Sequence, residues 1–167
     1  MKKITLFLIA LGMTSLTQAQ DNTGLQLGAH VGIPVGDASN AVTFNFGADV
    51  SYLFNVAPTL QAGITSGYSH YLGKNLDIGG GLGSLKAPDA GIVPIAATGK
   101  YSFDPRFFFA ADLGYAVFVN KDSDGGGFYY QPKIGYTATK FDLYAGYKGI
   151  SNGGTLSTIN LGINFKF

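Results

Sequence analysis

The sequence predicts an all-β protein folded as a closed, eight-stranded antiparallel β-barrel. Eight segments alternate between apolar and polar residues, which is the pattern of a strand with two different faces. The links between these segments alternate between long and short along the chain. No segment keeps a helical period, and no apolar run approaches the ~20 residues of a membrane-spanning helix. If the chain crosses a membrane, it must do so as a closed barrel, because lipid cannot satisfy free backbone groups.

The first four strands are expected over 24–33, 41–54, 59–71 and 92–103. In each, the polar or small residues alternate with apolar residues on the opposite face, and the second segment is the clearest. The apolar faces comprise Leu25, Leu27, Ala29, Val31 and Ile33; Val42, Phe44, Phe46, Ala48, Val50, Tyr52 and Phe54; Leu60, Ala62, Ile64 and Tyr68; and Val93, Ile95, Ala97, Tyr101 and Phe103.

The next three strands are expected over 107–119, 128–138 and 141–150, with the eighth at the C terminus. Their lengths are close to the ~9–11 residues that a tilted spanning strand needs. The apolar faces comprise Phe107, Phe109, Leu113, Tyr115 and Val117; Phe128, Tyr130, Ile134 and Tyr136; and Phe141, Leu143, Ala145 and Tyr147.

The terminal segment separates its faces most completely. One face carries Ile159, Leu161, Ile163, Phe165 and Phe167, and the other carries Thr158, Asn160, Gly162, Asn164 and Lys166. Its spacing of a polar residue, Gly and two aromatics ending at Phe167 resembles the insertion signal of bacterial outer-membrane β-barrels. This resemblance implies recognition of the C-terminal strand by the barrel-assembly machinery.

The connections predict which end of the barrel is which. Links 34–40, 72–91, 120–127 and 151–154 are the odd-numbered ones, whereas links 55–58, 104–106 and 139–140 are tight. Short periplasmic turns and longer external loops are typical of outer-membrane barrels. An even number of strands then places both termini on the periplasmic side.

The N terminus predicts export. Lys2 and Lys3 precede a mostly apolar run over 4–11, and small residues before Ala19 form a plausible cleavage site. We therefore expect a signal peptide over 1–19, removed near Ala19, and a barrel domain over 20–167 in the cell outer membrane. The chain has no cysteine, which excludes disulfides and thiolate chemistry.

The charge balance argues against nucleic acid as a partner. Of the 11 basic residues, Lys2 and Lys3 lie in the leader, which leaves 9 basic against 10 acidic residues and a net charge of −1. A nucleic-acid-binding protein needs a basic face, which this composition does not supply.

Over its whole length the chain resembles the small eight-stranded outer-membrane barrels of Gram-negative bacteria. These are often grouped as outer-membrane β-barrel or porin-family proteins, and the layout is similar to the barrel of outer membrane protein A. The resemblance implies outer-membrane lipid and lipopolysaccharide as partners. It does not imply an aqueous porin, because eight strands enclose an interior that side chains just fill.

A soluble, lipocalin-like barrel is the structural alternative. It would also alternate, but it would turn its apolar face inward around a ligand. Here the polar face carries charges among small residues, which suits a narrow lumen, while bulky aromatics suit lipid. We expect interfacial aromatic girdles at both rims. The upper group comprises Tyr68, Tyr71, Tyr115, Phe128, Tyr130 and Tyr147, and the lower group comprises Phe54, Phe103, Phe107, Phe141 and Phe165.

The sequence predicts no enzyme and no cofactor or metal site. Ser69 and His70 cannot form a catalytic pair, because adjacent strand residues face opposite ways. His30 is expected to be a hydrogen-bonding residue of the lumen and His70 a polar residue of the rim. The glycine-rich stretch 79–83 fits a flexible loop, and 122–127 lacks the Glu of a calcium loop, since Lys133 stands in its place.

Charged residues on the polar face predict how the barrel interior is filled. Lys100 and Asp112 fall on adjacent strands within a diagonal contact, and Lys133 on the following strand can also approach Asp112. Buried charges need partners, so we expect these pairs to plug the lumen. The predicted role is structural or surface-interaction, with the loop 72–91 offering a possible ligand surface. A narrow channel for small solutes or ions is the alternative, and a lipid-modifying enzyme a more distant one.

Overall fold

The computed structural model describes residues 24–77, 84–119 and 125–167. The expected signal peptide over 1–19 and its cleavage site at Ala19 lie outside the described residues. So do the glycine-rich stretch 79–83 and residues 122–124 of the second candidate loop.

Eight strands form one closed antiparallel barrel, as the sequence predicts. They are β1 (Gly24–Val35), β2 (Val42–Ala57), β3 (Leu60–Gly73), β6 (Ala90–Asp104), β7 (Phe107–Phe118), β8 (Gly126–Thr137), β9 (Phe141–Ser151) and β10 (Thr155–Lys166). Their order around the barrel is β1-β10-β9-β8-β7-β6-β3-β2. Each predicted strand corresponds to one of these, with the ends shifted by a few residues.

Three short elements lie at the end that carries the longer links, which we call the loop end. The helix α1 (Ala38–Ala41) lies between β1 and β2, and β4 (Asn75–Asp77) pairs with β5 (Ser84–Lys86) in the longest link. The opposite end, with the tight turns, is called the turn end. The sequence did not predict these short elements, because three or four residues carry no usable period.

The barrel closes between its first and last strands. The register runs from Gln26 opposite Lys166 to Val35 opposite Ser157 without a break. Two other seams are interrupted by proline, which has no N–H to donate. Between β3 and β6 the pairing skips Gly67 and Tyr68, which stand opposite Pro94 and its neighbour. Between β8 and β9 it skips Gln131 and Pro132.

The two faces of the wall differ as expected for a barrel surrounded by lipid. Large apolar side chains cover the outside, among them Ile64 at 69 %, Ile95 at 64 % and Leu161 at 63 % exposure. Charged side chains such as Lys148 and Asp112 are buried inside, at 1 % and 0 %. This arrangement is the reverse of a soluble carrier barrel, whose apolar face lines the interior. Within the described residues, no helix is long and apolar enough to span a membrane.

Aromatic rings cluster on the outer face near the turn end. The ring centroid of Phe103 lies 4.7 Å from that of Phe109 and 6.4 Å from that of Phe107, which in turn contacts Tyr136 at 5.7 Å. Tyr71 corrects the expected upper girdle. It faces the lumen and is fully buried, because it shares the alternation of Ser69 on β3 rather than that of Tyr68.

Candidate functional site in the barrel lumen

An apolar layer fills the lumen toward the loop end. Its buried members are Tyr71, Ile92, Ala96, Ala116, Tyr129 and Ile150, with Val42, Ala90, Phe118 and Leu156 packed against them. This layer departs from the polar interior that the alternation of the strands predicts. The missed signal is a set of aliphatic and tyrosine residues at inward positions near the upper ends of their strands.

Below this layer, Lys148 forms a tie across the lumen. Its Nζ donates to Ser69 Oγ at 2.9 Å and lies 2.9 Å from His30 Nε2. Strand β9 carries Lys148 and β3 carries Ser69, and these strands are four positions apart in the eight-stranded order. They therefore stand on opposite walls. We call Lys148, His30, Ser69 and Asp49 the cross-lumen tie.

His30 stands between the two walls because its neighbour on β2 has no side chain. His30, Gly47 and Ser69 are at one level in the registers of β1, β2 and β3. A Cβ at Gly47 would lie 2.6 Å from Cε1 and 2.7 Å from Nε2 of the His30 ring. Glycine at this position therefore leaves the space through which the imidazole reaches Ser69, with Nε2 and Oγ 3.1 Å apart.

The partners of His30 determine which nitrogen carries its proton. A lysine ammonium has three donors and no acceptor, so the Nε2 atom beside Lys148 must offer its lone pair. The proton is then on Nδ1, which donates to Asp49 Oδ2 at 2.7 Å. The prediction that His30 is a hydrogen-bonding lumen residue is confirmed, and the ring is neutral in this arrangement.

Ser69, His30 and Asp49 have the connectivity of a hydrolase triad, which the sequence analysis did not anticipate. Ser69 and His70 do face opposite ways, as predicted: Ser69 is buried inside, while His70 contacts Phe46 and Tyr68 on the outer face. Ser69 is only 1 % exposed, and Lys148 already occupies both Ser69 Oγ and His30 Nε2. The carbonyl of a hydrolase substrate would have to reach Ser69 Oγ, which is buried and already bonded to Lys148. The geometry therefore favours a structural role for these residues.

Asp112 is the centre of a second polar group. Lys133 Nζ lies 2.5 Å from Asp112 Oδ2, and Thr98 Oγ1 donates to Asp112 Oδ1 at 2.9 Å. Thr65 extends the network, since its Oγ1 lies 2.6 Å from Thr98 Oγ1 and 2.8 Å from Ser51 Oγ. The expected approach of Lys133 to Asp112 is confirmed.

Asp142 is the centre of a third group, and it corrects the predicted partner of Lys100. Lys100 pairs with Asp142 on β9, three strands away around the wall, and not with Asp112. Lys166 Nζ also lies 3.0 Å from Asp142, and Thr137 Oγ1 donates to it at 2.5 Å. Lys100 and Lys133 both flank Ala110 in the register, so they compete for one diagonal carboxylate. Lys133 forms the ion pair with Asp112, and the narrow lumen brings Asp142 close enough to pair with Lys100.

A recess of about 540 Å³ opens at the turn end below these ion pairs. Lys100 contributes to its lining, together with neutral polar side chains such as Asn55, Gln61 and Ser102. Among the described residues no group of three or more His, Asp or Glu side chains could hold a metal ion.

The sequence matches no protein-family model, and no curated protein is detectably similar to it. Solved structures show the fold. A designed transmembrane β-barrel has a TM-score of 0.55 at 13% identity, covering 90% of this chain and 100% of its own. The outer membrane protein Ail of Yersinia pestis, in a phospholipid bilayer nanodisc, also scores 0.55 at 13% identity, with 86% of this chain and 99% of its own covered.

The N-terminal β-barrel domain of OprF from Pseudomonas aeruginosa scores 0.51 at 15% identity, covering 87% of this chain and 98% of its own. These likenesses, together with the closed antiparallel wall, show that the chain has the fold of the small eight-stranded outer-membrane barrels.

Proposed function

We propose that this protein is an integral outer-membrane barrel with a structural or surface-interaction role, whose lumen is closed by its own side chains. The observation that carries the proposal is the inversion of the wall. Bulky apolar side chains point out, while paired charges and an apolar layer fill the inside. In aqueous solution this exterior would expose a continuous apolar belt to water, which is unfavourable. The same exterior is favourable when lipid surrounds the barrel.

The proposed partners follow from this location. Outer-membrane lipid and lipopolysaccharide would surround the apolar wall, and the barrel-assembly machinery would recognise the C-terminal strand that ends at Phe167. Export would depend on the signal peptide over 1–19. The barrel wall supports no catalytic role, so we propose no enzymatic activity.

The longest link, 72–91, is the proposed ligand surface. Its base is held together by hydrogen bonds: Gly73 N at the end of β3 donates to Asp89 Oδ1 just before β6 at 2.9 Å, and Lys74 Nζ donates to Ser39 O of helix α1 at 3.2 Å. A link that is anchored at its base can present its outer part to a partner without involving the wall. Loops on a rigid scaffold are the usual carriers of recognition.

Two measurements test the proposal. The mature protein should fractionate with the outer membrane and migrate differently on gels before and after boiling, because a closed barrel resists detergent. Purified protein in planar bilayers should show no large, steady conductance at neutral pH. Recovery from the soluble periplasmic fraction would contradict the membrane location, and a porin-sized conductance would contradict the closed lumen.

A narrow channel remains the second candidate, and the turn-end recess is the observation that favours it. The recess reaches Lys100, which pairs with Asp142, so it is open as far as this ion pair. A small conductance that increases when Lys100 is replaced by Met would support this candidate. An unchanged, closed record for the same variant would leave the plug as the function of the pair.

A further inference from the structure

We propose that His30 is a proton-operated latch on the cross-lumen tie, so that acid opens the lumen to small anions. The inference goes beyond the proposed function and rests on one part of it, the closure of the lumen at neutral pH. It is carried by the contact between Lys148 Nζ and His30 Nε2 at 2.9 Å, which links groups from β9 and β1.

A second proton on His30 has one place to go. Nδ1 already donates to Asp49, so the incoming proton must bind Nε2. Nε2 would then become a donor that faces the ammonium of Lys148, which is itself only a donor. Two cations cannot share this contact, and Lys148 must leave it.

The charges around His30 do not prevent this release. From β2, Asp49 is the carboxylate in contact with the ring, and it can balance one positive charge. From β9 and β8, Lys148 and Lys133 both act on His30 as cations. Asp49 and Asp112 both act on Lys148 as anions, and Asp112 on β7, which is not a partner of the His30 ring, attracts Lys148 away from the ring after release.

Among the described residues, the remaining neighbours of His30 bring no charge at neutral pH. Ser69 on β3 contributes a hydroxyl, and β10 contributes Gly162, the register partner of His30. The Tyr144 ring of β9 packs over Gly162 as a neutral phenol. Within the part of the chain that the structure describes, His30 therefore has no second carboxylate contact that would keep Lys148 beside a protonated imidazole.

Release of the tie affects the apolar layer above it. Ser69 is two residues from Tyr71 on β3, and Lys148 is two residues from Ile150 on β9, so each pair shares the inner face. Tyr71 and Ile150 are both members of the apolar layer. The tie thus holds together the two opposite walls that carry this layer, and its loss lets the layer part and take up water.

The interior charges indicate which ions would enter. The described inward-facing charges are Lys100, Lys133, Lys148 and Lys166 against Asp49, Asp112 and Asp142, an excess of one positive charge. Protonation of His30 raises this excess by one more. A positively charged lumen attracts anions and repels cations, so chloride is the appropriate probe.

The test is planar-bilayer recording of the full-length, folded protein in potassium chloride at about pH 7.5 and about pH 5, on either side of the range in which histidine titrates. We expect a closed wild type at the higher pH and small, chloride-selective openings at the lower one. For each unit by which the pH is lowered, the open probability should rise about tenfold as long as His30 is mostly neutral. Equal records at the two pH values would overturn the latch. A porin-sized conductance at the higher pH would instead contradict the closed lumen.

Two histidines provide a matched pair of variants. His30→Gln retains an acceptor for Lys148 but cannot take up a proton, so it should stay closed at both pH values. His70→Gln changes the outward histidine and should keep the acid response. Loss of the response in His70→Gln, or its survival in His30→Gln, would place the sensor elsewhere.

A measurement on the wild type avoids any folding defect in the variants. Nitrogen-15 histidine spectra should show His30 protonated on Nδ1 alone at neutral pH and on both nitrogens in acid, with a change in the Lys148 side-chain signals over the same range. A proton on Nε2 at neutral pH would contradict the contact on which the latch depends.

Discussion

Lys148 and Ser69 are hydrogen-bonded at 2.9 Å although they belong to strands on opposite walls of the barrel, four positions apart in either direction. A long lysine side chain from one wall and a short serine from the other together span the lumen. The bond thereby fixes the distance between walls that share no backbone pairing. Hydrogen bonds within the strand ladders cannot do this, since each joins only neighbouring strands.

The space beside His30 leads to a first prediction. Gly47→Ala should lower the free energy of unfolding by about 1–3 kcal/mol, as overpacked interiors usually do, because its Cβ would meet the His30 ring and the Tyr68 carbonyl. Gly99→Ala is the matched control, since nothing lies within 4 Å of its Cβ position. Urea unfolding in detergent micelles, followed by circular dichroism, measures both. Equal stability of the two variants would mean that His30 does not need this space.

A second prediction concerns the buried carboxylate of β7. Asp112→Ala should cost roughly 3–5 kcal/mol, because Lys133 is left as a buried cation without its partner. Replacing Lys133 by Met in the same chain should restore part of the loss, since no unpaired charge then remains. Unfolding of the single and double variants under the same conditions provides the comparison. A double variant less stable than Asp112→Ala would show that the ammonium is not the source of the penalty.

The partner of Lys100 can be identified by double-mutant cycles. Lys100→Met and Asp142→Asn should show a coupling of about 0.5–3 kcal/mol, as contacting residues do. Lys100→Met and Asp112→Asn should be much closer to additive, because each residue has another partner. Strong coupling in the second cycle and none in the first would restore the pairing that the sequence alone suggests.

A fourth prediction separates stability from delivery. Deleting Phe167 should reduce the amount of protein in the outer membrane, because the aromatic end resembles an assembly signal. The ring is 51 % exposed, so refolding of the truncated chain into detergent micelles should be nearly unchanged. Outer-membrane fractionation and the gel shift on boiling measure the two effects. Normal delivery of the truncated chain would contradict the assigned signal.

A fifth prediction is that the longest link, 72–91, is not needed for insertion of the barrel. Replacing 74–87 by a short glycine-rich hairpin should leave insertion and the gel shift intact, because loop length contributes little to the free energy of folding. Any binding to a surface partner should be lost with the link. A binding activity that survives this exchange but disappears on changing His30 would move the recognition site into the lumen.

The positions of the strands and the faces of their residues were predictable because the alternation of apolar and polar residues within each strand indicates both. The alternation of Phe46 with Asn45 and Gly47 indicates both the β2 strand and its inner face. Interior partners were less predictable. Lys133 and Asp112 lie on neighbouring strands, so register alone brings them together. Lys100 meets Asp142, and Ser69 meets Lys148, only because the wall closes, and no local pattern records a contact across the lumen.

Ring chemistry was also an incomplete guide to depth. Tyr68 and Tyr71 differ by three positions, so they point to opposite faces even though both are aromatic and both lie in the upper part of β3. Tyr71 is buried in the apolar layer, whereas Tyr68 is 43 % exposed on the outside. Parity along the strand therefore takes precedence over residue type in assigning an aromatic ring to lipid or lumen.

The pairing of β1 with β10 determines the order of events during assembly. The unbroken register from Gln26–Lys166 to Val35–Ser157 joins the opposite ends of the barrel sequence. Closure is therefore impossible until the last strand has arrived, and the earlier hairpins must wait with an unpaired edge. Such an edge invites pairing with other chains, so the unfinished barrel is prone to aggregation until it closes. The finished ring removes that hazard by leaving no free edge in the barrel wall.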